Sequence, residues 1–373
     1  MGLNEKLVEE KPCTQPRFLL ILRRCLRYAV ISLSLIVVVS FLTSHFLGVF
    51  LLLFTPEGLE AMGNYIHGIP VMVYTTPVII PIEVTKGTLF LFLWVFQLLC
   101  FILAIKMRHG ILDTIKNVMR GRVKSMFENN LLSAPFIANG TLLIVLAINA
   151  LQESHGIPTG TLPEIDKYEF YFQLAYASVF EEFTFRVLFI GVFEAVMVSR
   201  VYSYVKRNER GPSGLQIFLK ALAFPQRTKD ELGLRRLLGK ELMGLTYGEW
   251  FVLAISALTF GFAHVLSGIG WKIGKVTHAT FVGIVLGLVY IKFGFQASVI
   301  LHWFFNNYFE AYSMASEFIP RLSLLSDALE WLNTFLGVIF IAAVIGGLLF
   351  KATRSIMQEG TEASIETYLN QVL

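Results

Sequence analysis

The chain has 373 residues, 55% of them hydrophobic and only 16% charged, and its mean hydropathy is +0.64. A soluble domain carries about a quarter charged residues, so this composition excludes a soluble globular protein and predicts an all-α polytopic membrane bundle. The net charge of +4 is too small to imply a nucleic-acid partner, and Cys13, Cys25 and Cys100 form no CxxC pair, which excludes a disulfide framework or a cysteine-ligated metal.

Residues 1–27 carry Lys6, Lys11, Arg17, Arg23, Arg24 and Arg27 and read as a cytoplasmic basic segment. The apolar run that follows is too long for the core of a signal peptide. About eight spans are expected, near 28–54, 88–106, 133–152, 168–200, 249–269, 276–293, 296–314 and 332–350. The stretch 69–84 is apolar but contains Pro70, Pro77 and Pro81, and reads as an external loop or hairpin at the interface. Asn139-Gly140-Thr141 matches a glycosylation sequon, yet it falls inside the third span and is set aside.

Basic residues cluster after spans two, four and eight, while the loops after spans one, three and seven are poor in them. Both termini on the cytoplasmic side satisfy that bias; Lys272 and Lys275 are a mild violation in a short loop. The insert 201–248 mixes basic residues with apolar LQIFLKALAF and LRRLLGKELMGL, a pattern of amphipathic pieces on the cytoplasmic face. The expected organisation is a basic segment 1–27, three spans in 28–152, a core in 168–317 holding the insert, and a last span and tail in 318–373. The expected location is an integral, multi-pass protein of the cell membrane.

The fourth span holds Glu181, Glu182 and Arg186 in its middle. Each ionisable residue at mid-bilayer costs about 2.5–3.5 kcal/mol, so a chain keeps three only if they pair, face a polar cavity or do chemistry. Glu182 and Arg186 are i and i+4 and can pair, whereas Glu181 lies about 140° from Arg186 on the helical wheel and is left spare. A structural ion pair with a spare acid facing water is the plainer reading. Later spans add Phe260 with His264, and His302 with Asn306, each pair on one helical face. An unpaired glutamate, two histidines and an amide are the parts needed to deprotonate water and to hold the oxyanion of an attacked peptide. There is no HExxH and no GxSxG, and Asp113, Asp166, Asp230 and Asp327 all lie in loops or near span ends. His278 and Glu310 are lesser candidates, and the Gly283/Gly287 spacing reads as helix packing.

The ordered set EEFTFR at 181–186, FGFAH at 260–264 and HWFFN at 302–306 resembles the CPBP family, the CAAX proteases and bacteriocin-processing (Abi) enzymes related to type II CAAX prenyl endopeptidases. The resemblance covers about 170–307 and implies an eight-helix intramembrane endopeptidase acting near a membrane-embedded or lipid-modified segment. By that resemblance Glu181 activates water with His264, His302 and Asn306 shape the oxyanion site, and Glu182, Arg186 and Phe260 support them. No cofactor is expected; if zinc is used, Glu181, His264 and His302 are the ligands. The implied partners are the lipid bilayer and a membrane protein or lipidated peptide, with no nucleic acid. A non-proteolytic scaffold or immunity protein and an ion-coupled transporter are the alternatives.

Overall fold

The computed structural model describes residues 17–73, 76–106, 110–205 and 211–372. Lys6, Lys11, Cys13, Arg108, Lys206, Arg207 and Arg210 lie outside these residues. The chain opens with α1 (Arg17–Phe54), then α2 (Pro56–Gly63), β1 (Tyr65–Val73), β2 (Thr76–Thr85), α3 (Lys86–Lys106), α4 (Ile111–Met119) and α5 (Asn130–Ser154). Next come α6 (Lys167–Glu182), a π-helical segment (Phe183–Gly191) and α7 (Val192–Val205). The insert folds as α8 (Gly214–Ala223), α9 (Pro225–Glu231), β3 (Glu241–Leu242) and β4 (Leu245–Thr246). The chain closes with α10 (Tyr247–Leu266), α11 (Gly274–Phe293), α12 (Phe295–Phe318) and α13 (Arg321–Val372), the last running well beyond the span expected at 332–350.

The protein is an all-α, integral, multi-pass membrane protein. Among the described residues six helices are long and apolar enough to cross a bilayer: Phe18–Phe54, Lys86–Lys106, Asn130–Ser154, Tyr247–Leu266, Gly274–Phe293 and Arg321–Lys351. The other two runs expected to span are helical as well, but one is broken after Glu182 and the other carries His302, Asn306, Asn307 and Glu310. Glu181, Glu182, Arg186, His302 and Asn306 are therefore carried by the two least lipid-like of the long helical runs.

α12 is the central post. Trp303, Phe304, Tyr308 and Tyr312 on it are almost fully buried. A chain of polar contacts ties it to its neighbours: Ser40 and Tyr308 share a 2.7 Å hydrogen bond, Asn333 donates to Tyr308 at 3.3 Å, and Asn139 donates to Oδ1 of the Asn333 side chain at 2.6 Å. Such bonds link α1, α12, α13 and α5 in a setting where apolar packing alone discriminates poorly between partners. Asn139 is thereby committed to the interior and is 3% exposed.

Close approach is set by small residues. A Cβ on Gly283 would lie 3.0 Å from the Ala257 backbone, so α10 and α11 meet there without a side chain between them. Gly294 turns α11 into α12 with φ 98°, and a Cβ there would lie 2.7 Å from the Ala223 carbonyl. The insert is organised by local signals: Ser213 and Gln216 form a capping box on α8, as do Thr246 and Glu249 on α10. It is pinned to the bundle by Lys229, buried between Glu194 at 3.2 Å and Glu249.

The stretch near 69–84 is an antiparallel hairpin of β1 and β2, with a register shift between His67 and Ile69. Pro70 cannot donate to a ladder, and its carbonyl accepts from the Tyr176 hydroxyl on α6. The hairpin is thus fastened along the helix that carries Glu181.

Candidate active site

Glu181 and Glu182 form the last turn of α6, and Arg186 lies in the π segment that follows. π-helical turns often occur at functional sites, where one extra residue per turn re-aims side chains. The Glu182–Arg186 contact survives the break: Oε1 of Glu182 lies 3.3 Å from Nη2 of Arg186, and both side chains are fully buried. The same Oε1 accepts from Nδ1 of His302 at 2.9 Å. One carboxylate oxygen therefore joins a guanidinium and an imidazole in the bundle interior.

Phe260 packs against this pair. The Arg186 guanidinium sits 4.8 Å from its ring centroid, a cation–π contact. The rings of His264 and His302 meet it edge-on at 4.8 and 6.1 Å. His264 is further fixed by Nδ1 donating to the Phe260 carbonyl at 2.8 Å.

Two tautomers follow from these bonds. Glu182 and the Phe260 carbonyl are acceptors, so Nδ1 carries the proton in both histidines. In the neutral ring each Nε2 then presents a lone pair. For His302 that atom lies 3.7 Å from Oε2 of Glu181. Glu181 is the accessible acid of the pair, with a third of its side-chain surface exposed against none for Glu182. Two acceptors that face each other across a gap wider than a hydrogen bond suit a proton donor between them, such as a water molecule.

Asn306 is turned elsewhere. Its Nδ2 donates to the Leu174 carbonyl at 3.3 Å and to the Ser178 hydroxyl at 3.2 Å. Both amide protons bind α12 to α6, so in this arrangement neither points to an oxyanion. Glu310 acts electrostatically on Tyr171 of α6. His278 is buried, neither of its ring nitrogens has a hydrogen-bond partner, and it lies within electrostatic reach of His264 and Lys275.

Lys275 was legible in the sequence only as a loop charge. It stands over the Trp271 ring at 3.9 Å and interacts electrostatically with Glu181. Trp271 is itself held by a β-bridge to Gly160, and Lys272 N donates to Thr159 O at 2.9 Å. Lys275 makes no ion pair among the described residues, and its ammonium lies on the Glu181 side of the site.

Zinc would need three protein ligands converging on one point. Among the described residues no three His, Cys, Asp or Glu side chains are grouped closely enough to hold a metal ion. His302 is also committed at Nδ1 to Glu182, and Glu182 to Arg186. The donor set as arranged does not fit a metal centre.

Residues 212–308 match the profile of a family described as type II CAAX prenyl endopeptidase, Rce1-like. The matched stretch contains Phe260, His264, His302 and Asn306 and begins after Glu181, Glu182 and Arg186. Over that stretch, about a quarter of its length, the chain is similar to the CAAX protease family. Neither the curated proteins nor the solved structures returned a match to it. The match supports a protease of the CAAX type in a membrane-embedded chain. Glu181 and Glu182, which lie ahead of the matched stretch, both approach His302 within it, at 3.7 and 2.9 Å.

Proposed function

We propose that this protein is a CPBP-type protease that hydrolyses a peptide bond near a membrane-embedded or lipid-modified segment, using water activated by Glu181. The observation that carries the reading is the 3.7 Å gap between the partly exposed Glu181 carboxylate and Nε2 of His302. A water in that gap donates one hydrogen bond to each. Its oxygen attacks the substrate carbonyl carbon while its proton passes to Glu181. The carbonyl oxygen becomes an oxyanion, and the positive charge of Lys275 is the field that meets it. When the C–N bond breaks, Glu181 returns the proton to the departing nitrogen, which leaves a free amine and a carboxylate product.

The geometry favours His302, rather than His264, as the direct partner of Glu181. Glu182 and Arg186 hold the His302 ring and its tautomer, Phe260 orders both imidazoles, and Asn306 keeps α12 seated on α6. The proposed chemistry needs no metal. The distribution of basic residues supports an insert on the cytoplasmic side, and the cell membrane is the proposed location.

The test is cleavage of tagged membrane peptides by purified protein, with and without a strong chelator. Retained cleavage with chelator, lost in Glu181→Gln, is the expected result. Cleavage that disappears on chelation and returns with zinc overturns the metal-free mechanism. Cleavage by Glu181→Gln at the wild-type rate overturns the assignment of the base, and a folded wild-type protein that cleaves none of the peptides favours the scaffold alternative.

A further inference from the structure

At the end of the bundle that carries the insert, a cavity of about 670 Å³ opens between the start of α5, the start of α10, the end of α11 and α9. That is the size of a small-molecule site. Glu181, His264 and His302 do not line it, so it is separate from the proposed catalytic groups.

One side of the cavity is built to receive an anion. The N-terminus of the 25-residue α5 faces it at Asn129 and Asn130; Asn129 Oδ1 already caps the Leu132 amide at 3.0 Å, and the positive end of the helix dipole still favours negative charge. The Asn130 side chain is 8% exposed, and its Nδ2 has no hydrogen-bond partner. A buried donor left unpaired is a cost that a ligand oxygen would remove. Lys292 is exposed at the cavity mouth, with its ammonium 5.0 Å from the Phe293 ring centroid and within electrostatic reach of Glu128. Arg227 and Arg235 add positive charge, each fixed through Nε, by Glu231 at 2.7 Å and Glu241 at 2.9 Å.

The cavity is not purely basic. Glu128 and Asp230 line it too, and Asp230 accepts from Gln226 at 3.2 Å. Two carboxylates would repel a bare anion, and they suit a ligand that carries an ammonium group beside its phosphate. The remaining wall is apolar: Leu245, Trp250, Leu288, Ile291 and Phe293. Trp250 is fixed there by Nε1 donating to the Leu242 carbonyl at 2.9 Å. The three long helices that frame the cavity, α5, α10 and α11, are all candidate membrane spans whose ends meet here. Tryptophan and basic side chains at such ends mark the headgroup level of a bilayer.

We propose that this cavity binds a phosphoethanolamine headgroup of a membrane phospholipid. The phosphate faces Lys292, Asn130 Nδ2 and the α5 N-terminus. The primary ammonium faces Glu128 and Asp230, and an acyl chain lies along the apolar wall. A choline headgroup has the same net charge but no N–H to donate, and a glycerol headgroup has no cation.

The experiment reconstitutes the full chain in nanodiscs of mixed ethanolamine, choline and glycerol phospholipids, extracts it in mild detergent and quantifies the lipid that stays bound. We expect ethanolamine lipid to be retained about tenfold over choline lipid, a difference of about 1.4 kcal/mol. Lys292→Gln should lower total phospholipid retention. Glu128→Gln should abolish the preference for ethanolamine while phosphate-bearing lipid still binds, and Lys116→Gln, an exposed lysine outside the cavity, should change nothing. Inorganic phosphate and soluble phosphoethanolamine serve as further probes. Displacement of the lipid by inorganic phosphate alone would mean a site for free phosphate and would overturn the proposal. Equal retention of the ethanolamine and choline lipids, or full retention in Lys292→Gln, would overturn it as well.

Discussion

Nδ1 of His302 and Oε1 of Glu182 are hydrogen-bonded at 2.9 Å between two helices in the bundle interior, and the same oxygen holds Arg186. The bond gives the two adjacent glutamates different jobs. Glu182 is fully buried and tied through Oε1 to His302 and Arg186, whereas Glu181 is partly exposed and lies 3.7 Å from the far nitrogen of the same ring. Glu181→Gln should therefore leave the fold intact and lower the cleavage rate by about 10²–10⁴-fold, the usual worth of a general base. Glu182→Ala should instead destabilise the protein by about 3–5 kcal/mol, because it strands a buried guanidinium. Thermal unfolding in detergent together with peptide cleavage separates the two. Equal losses of stability in both variants would refute this division of roles.

Phe260 is the shared surface of three charged or polar side chains. Phe260→Leu keeps much of the bulk but removes the ring face under Arg186, a contact worth about 0.5–2 kcal/mol. The two imidazoles also lose the edge that orders them. We expect a fall in unfolding temperature together with a lower kcat and an unchanged KM. A variant that unfolds earlier yet turns over normally would show that Phe260 is packing alone.

Lys275 should act through charge. Lys275→Met is expected to lower kcat roughly tenfold, the effect of about 1.4 kcal/mol on the barrier, while Lys275→Arg recovers most of it. A shift confined to KM would place the lysine in substrate binding, away from the developing oxyanion.

The sequence shows its polar groups clearly because they interrupt apolar runs, which is why EEFTFR, FGFAH and HWFFN stand out. It does not show the π segment after Glu182, since an i→i+5 turn has no residue signature and a helical wheel drawn at 100° per residue passes straight through it. It does show the caps of the insert, where Ser213 with Gln216 and Thr246 with Glu249 carry the recognised spacing. The fate of single side chains is harder to read. Asn306 presents the same face as His302 along α12, yet the carbonyl of Leu174 on another helix claims its amide. Lys229 looks like one more basic residue in a basic stretch, and only tertiary packing buries it between two acids.

That burial gives the last prediction. Lys229 is 2% exposed and is the cation between Glu194 and Glu249. Its ammonium joins α9 of the insert to α7 and α10 of the bundle, on either side of the segment that leads to the site. Lys229→Met leaves two buried carboxylates facing each other, and removing one partner of a buried charge set costs about 3–5 kcal/mol. The insert should then detach before the bundle melts, and protease should cut within 211–246 at a temperature where the wild-type chain resists. Adding Glu194→Gln replaces one of the two buried acids with a neutral amide and should restore part of the resistance. Glu249 is left in place for that rescue because it also caps α10 through Thr246. If Lys229→Met resists protease as well as the wild type, the ion set is not what holds the insert down.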